Sequence, residues 1–173
     1  MEFRALPHQR TLALANKGEI DGDVARVPSI VNKYQNLRKI DEKLIALRGV
    51  AYTSLKEVTS YNDALLDNNV IGRVRGIYWS EEKLNTYSSV GVNTYPQMFK
   101  MLANKRLGIV LATEASGDDV VKEMGESASG IVKLEPPIFS TDLHHYVHKK
   151  NISIIPKLET AIKSIRREGF WTK

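Results

Sequence analysis

The chain has 173 residues, 42% hydrophobic and 26% charged, enough for one full core or two small lobes without disulfide or metal staples. It contains no cysteine, which excludes disulfide frameworks, thiolate zinc sites and cysteine nucleophiles and leaves the redox compartment undecided. Its formal charge of +5 is spread along the chain among acidic residues; only Lys149-Lys150 and Arg166-Arg167 are locally dense, and without a basic, aromatic-studded stripe no nucleic-acid partner is expected.

In chain order, residues 2–6 read as a short strand, with Pro7 where a helix would begin. Leu12, Leu14 and Ala15 fit a short amphipathic helix stopped at Gly18. Residues 19–27 alternate as a strand through Ile20, Val24, Ala25 and Val27, and a strand–helix–strand order predicts a parallel crossover. Residues 44–53 (LIALRGVAYT) read as extended, and residues 60–66 as a short helix capped by Ser60. A strand–loop–helix follows over 70–84. A short strand at Gly91-Val92 precedes a helix over 95–104 carrying Met98, Met101 and Leu102. A second strand–loop–helix spans 107–124. Paired prolines make 131–139 an extended connector, residues 144–148 are extended again, and an amphipathic helix over 155–167 stops at Gly169. No stretch reaches the ~20 apolar residues of a membrane span, and MEFRALPHQR lacks the apolar core of a signal peptide. The chain as written is therefore expected to be soluble, with no signal peptide within it.

The two strand–loop–helix units are the most informative feature. In open parallel α/β sheets small ligands sit outside the carboxyl ends of the strands, where helix N-termini offer free N–H groups. Arg75 and Gly76 fall at the first such turn; they read either as an anion contact or as an ordinary βα turn with a solvated arginine. Tyr52 and Tyr78 could stack on a ligand or pack in a core, whereas Trp79 is assigned to the core. His144, His145 and His148 lack the glutamate of a zinc helix and are expected to be structural, so no metal and no cofactor are predicted. The carboxylates Asp21, Asp23, Asp118 and Asp119 stand in turns and caps, and no nucleophile has a base at recognisable spacing. The chain is not expected to be an enzyme.

The order of residues 10–27 (RTLALANKGEIDGDVARV), 44–54 (LIALRGVAYTS), 70–79 (VIGRVRGIYW), 98–117 (MFKMLANKRLGIVLATEASG) and 134–151 (LEPPIFSTDLHHYVHKKN) resembles the extracellular solute-binding proteins of family 3. These are the substrate-binding components of amino-acid-type ABC importers. The resemblance implies an α/β type 2 periplasmic-binding-protein fold of two lobes joined by two crossover strands, near residues 51–54 and 137–141. It divides the chain into a discontinuous first lobe, 1–50 with 141–173, and a second lobe, 51–140. It also implies capture of a small polar or amino-acid-like solute between the lobes, a membrane permease as partner and a periplasmic location. By the same resemblance Arg75 and Gly76 meet a ligand carboxylate, Glu114 stands where family members commonly place an aspartate that receives a ligand amine, and Arg26, or less strongly Arg10, would clamp a carboxylate. The residue-level alternative for Glu114 is a solvated loop carboxylate. Residues 26–39 lack the family's threonine-to-arginine pattern, which speaks against a standard α-amino acid. The family's opening strand and helix are missing, so the first lobe is expected to be cut down or completed by a homodimer or a segment exchanged with a second copy. The alternatives on this fold are a receptor-kinase sensor domain and a small dehydratase or lyase.

Overall fold

The computed structural model describes residues 8–169; the strand expected over 2–6 and Pro7 lie outside them. The chain divides into two compact units, Met1–Ala46 with Thr141–Lys173, and Leu47–Ser140. Two 17-residue strands, β2 (Leu37–Thr53) and β6 (Val132–His148), each contribute to both units.

In the first unit, α1 (His8–Lys17) buries Leu12 and Ala15, one turn apart, against Leu37 and Tyr146. The helix stops at Gly18 (φ +77°), whose N–H bonds Ala15 O while the Glu19 N–H bonds Leu14 O, each at 3.1 Å. This is the paired bonding of a Schellman end. Strand β1 (Gly22–Arg26) follows and pairs antiparallel with β6, Gly22 opposite Val147 and Asp23 opposite Tyr146. The partner found for β1 among the described residues is thus antiparallel. A bulge lies between Asp23 and Arg26, with Ala25 at φ +59°. The unit's strand order is β1-β6-β2. Helix α6 (Ile155–Arg167) sets Ile155, Leu158 and Ile162 on one face against Ile40 and Val147. The histidines serve this unit: His144 Nδ1 lies 2.9 Å from Ile40 O, and His148 Nδ1 accepts the Lys150 N–H at 3.2 Å.

In the second unit the order is β2-β5-β3-β4. Strands β3 (Ile71–Val74), β4 (Ser89–Val92) and β5 (Ile109–Thr113) are mutually parallel, and β2 pairs antiparallel with β5 from Gly49–Thr113 to Thr53–Ile109. The continuous apolar run of β5 suits a strand covered on both faces. Alternation along β2 and β5 sorts their side chains: Val50, Tyr52, Val110 and Ala112 enter one core with Phe99, while Ala51, Ile109 and Leu111 enter another with Ile71 and Leu134. Helix α2 (Ala64–Asp67) is shorter than expected and Ser60 does not cap it. The Tyr61 N–H is taken by Glu135 O at 2.8 Å and its hydroxyl donates to Asp63 Oδ1 at 2.8 Å, which holds the chain out of a helix until residue 64. Helices α3 (Tyr78–Lys83), α4 (Tyr95–Ala103) and α5 (Glu114–Met124) follow β3, β4 and β5 respectively. Thr94 starts α4 by accepting the Gln97 N–H on its hydroxyl at 3.3 Å.

Close approach fixes one residue of α5. A Cβ on Gly117 would lie 2.4–2.5 Å from the ring and hydroxyl of Tyr52. Helix propensity alone would make Gly117→Ala stabilising by about 1 kcal/mol; the clash reverses the sign. Chemical denaturation of Gly117→Ala is expected to show a loss of roughly 1–3 kcal/mol, and a gain would mean that Tyr52 yields freely.

Candidate functional site

The three parallel strands of the second unit present their carboxyl ends along one edge of the sheet, and the residues that follow them form the candidate site. After β3 the Arg75 N–H continues the ladder to Val92 O at 2.9 Å. Its guanidinium, exposed, donates from Nη1 to Asn93 Oδ1 at 2.9 Å. Among the described residues that neutral amide is its one hydrogen-bond partner beyond the ladder, and no ion pair claims its charge. Gly76 follows at φ +81°, with no atom within 4 Å of where a Cβ would stand, so the backbone there is open to approach. Its N–H is already taken by Glu81 Oε1 at 3.0 Å, and Arg73 Nη1 holds the same oxygen at 2.7 Å. Tyr78 is 75% exposed. Trp79 is half-buried with its ring 4.9 Å from Phe139, and its Nε1 is buried without a hydrogen-bond partner among the described residues.

The end of β5 is built differently. Glu114, first residue of α5, receives Arg48 Nη1 on its two oxygens at 2.9 and 3.0 Å and Lys133 Nζ at 2.8 Å. Arg48 Nη2 holds both oxygens of Glu135, at 2.9 and 3.0 Å. Lys133 also bonds Asp118 Oδ2 at 2.8 Å, and the Tyr52 hydroxyl donates to Asp118 Oδ1 at 2.7 Å. The hydrogen bonds to Glu135 above all, with the charge of Glu114, push the Arg48 guanidinium upward. For Lys133 burial pulls down, but the bonds to Asp118 and Glu114 outweigh it and the ammonium is raised. Burial, then the bond to Asp118, raises the Tyr52 phenol and keeps it a donor.

The residues singled out from sequence are only partly brought together. Arg75, Gly76 and Tyr78 share the β3–α3 turn. Glu114 starts α5, already paired by two cations rather than solvated. Tyr52 is 1% exposed with its ring edge-on to Phe99 at 5.0 Å; its hydroxyl lies 3.1 Å from Glu114 O. Arg26 and Arg10 belong to the first unit. Arg26 is buried and paired with Asp23, Nε–Oδ2 2.8 Å and Nη2–Oδ1 3.2 Å, whereas Arg10 lies exposed on α1. Arg48, Lys133 and Glu135 were not foreseen. Asp118, noted only as a capping acid, stands four residues beyond Glu114 on the same helix face. Among the described residues no group of three or more His, Asp or Glu is placed to hold a metal, and no helix is long and apolar enough to cross a membrane.

No protein-family model matches the chain. An uncharacterized protein of Shewanella oneidensis is 22% identical over 180 aligned positions, spanning 99% of this chain and 67% of that protein. Among solved structures, a histidine kinase sensor domain with similarity to periplasmic binding proteins matches with a TM-score of 0.65 at 13% identity, over 99% of this chain and 75% of that one. An ancestral arginine-binding protein bound to arginine matches at 0.67 and 16%, over 97% and 75%. The substrate-binding protein of an amino acid ABC transporter matches at 0.63 and 17%, over 97% and 75%. The chain thus has a mixed α/β fold like that of type 2 periplasmic binding proteins, and these neighbours are binding and sensor proteins.

The two guanidiniums should behave oppositely. Arg26→Met strands the buried Asp23 carboxylate and is expected to cost on the order of 3 kcal/mol in urea unfolding, while Arg75→Met should stay within about 0.5 kcal/mol. Equal losses would mean that Arg75 is structural.

Proposed function

We propose that the chain is a solute-binding component of an ABC-type importer, working outside the cytoplasm and handing a small polar or amino-acid-like solute to a membrane permease. The observation that carries this reading is the fold match over 97% of the chain or more to proteins described as binding arginine or serving an amino acid transporter. The site adds support: at the strand ends a cation without an ion pair, Arg75, stands beside the open backbone of Gly76 and the exposed ring of Tyr78. Arg75 suits an oxyanion because its planar fork can give two parallel hydrogen bonds, and Tyr78 offers a face for stacking. The reading is of a binder, not a catalyst.

A second reading has its own support in the equally extensive match to a histidine kinase sensor domain. Capture of a solute by the same strand ends would then report its concentration to a kinase instead of feeding a permease. The two readings share the binding step and differ in the partner.

The test is a thermal-shift screen of amino acids, short peptides and organic acids, followed by calorimetry. A true ligand at ~100 times its Kd should add about 2.7 kcal/mol to stability. Arg75→Glu is expected to abolish the response to an anionic ligand while leaving the melting of the free protein nearly unchanged. A wild-type protein that responds to nothing would contradict the proposal.

A further inference from the structure

We infer that the solute is a small oxyanion without a free ammonium group, and that zwitterionic and cationic amino acids are disfavoured. This inference rests on the solute-binding reading above and narrows its ligand class.

The charged groups at the strand ends divide into those already paired and one that is not paired among the described residues. A carboxylate with uncommitted lone pairs is the strongest partner a site can offer an ammonium. Glu114 is the carboxylate at the end of β5, and it already accepts three hydrogen bonds from two cations, two from Arg48 Nη1 and one from Lys133 Nζ. The neighbouring acids are engaged as well, with two hydrogen bonds each. Glu135 is chelated by Arg48 Nη2, and Asp118 is shared between Lys133 and the Tyr52 hydroxyl. Arg48 and Lys133 therefore occupy the positions from which an external amine would bond these carboxylates, and an amine could bond there only by displacing one of them. At the end of β3 the balance is reversed. Glu81 is taken by Arg73 and by the Gly76 N–H, leaving Arg75 exposed with the neutral Asn93 as partner. The strand ends thus offer a cation without an ion pair among the described residues, Arg75, at β3, and carboxylates already engaged by cations at β5.

The experiment compares pairs that differ chiefly in the amine. Calorimetry on the full chain would measure 2-oxoglutarate against glutamate, and succinate against aspartate, with arginine, lysine and inorganic phosphate as further arms. The expected result is that an amine-free anion binds at least tenfold more tightly than its amino counterpart, and the phosphate arm decides between a carboxylate and a phosphate ligand. Lys133→Ala, confirmed as folded by circular dichroism, should narrow the gap by vacating a place between Glu114 and Asp118.

Glutamate, arginine or lysine binding as tightly as the amine-free acids, with that binding lost in Glu114→Gln, would overturn the inference while leaving the binding reading intact. No response to any compound would overturn the binding reading and the inference with it.

Discussion

Strand β5 is the constraint on which the second unit depends. Its residues from Ile109 to Ala112 are 0–1% exposed. It is paired antiparallel to β2 on one side and parallel to β3 on the other, so its backbone polar groups and both faces are committed at once. That commitment sets everything at its carboxyl end. Thr113 leads directly into α5, Glu114 is delivered to the strand-end edge, and Tyr52, opposite Val110 in the register, is driven beneath α5, where only a glycine at 117 leaves room for its ring.

The charged cluster at this edge is a consequence of that placement. A half-buried carboxylate with side-chain exposure of 22% is costly unless its lone pairs are satisfied, and here β2 and β6 supply the cations. Because the cluster is open to water in part, its net contribution to stability is small compared with that of the cores. Its consequence is local: the cations and carboxylates at the end of β5 are engaged with one another. The pairing of Arg26 with Asp23 in the first unit follows the same logic at greater depth, since both side chains are below 10% exposed and neither charge is available to a solute.

Much of the fold was legible because it is locally encoded. Short apolar stretches marked β3, β4 and β5, the helical spacing of Met98, Met101 and Leu102 marked α4, and the amphipathic pattern of 155–167 marked α6. Ser60 misled because a capping residue is a local signal, and here a tertiary bond from Tyr61 to Glu135 overrode it. The β3–α3 turn was legible at Arg75 and Gly76, because the left-handed glycine that makes it is a local signal. The candidate site was not legible at Glu114, whose partner Arg48 is 66 residues away. Tyr52 shows the same limit: sequence placed an aromatic near a strand end, and only the register of β2 on β5 sends its ring into the core. The Asp23–Arg26 pair was within reach at three residues' spacing, but it depends on the left-handed Ala25 in a bulge that no turn residue announces.

The central claim is that the strand ends of the second unit bind a solute through the Arg75–Gly76 turn and not through the Glu114 cluster. The most direct measurement is a nuclear magnetic resonance titration following the Gly76 amide, the Arg75 Nε–H and the Lys133 ammonium as small organic acids are added. The account predicts saturable shifts at Gly76 and Arg75, with Lys133 unmoved. Shifts centred on Lys133 and the first turn of α5, or none at either place, would contradict it.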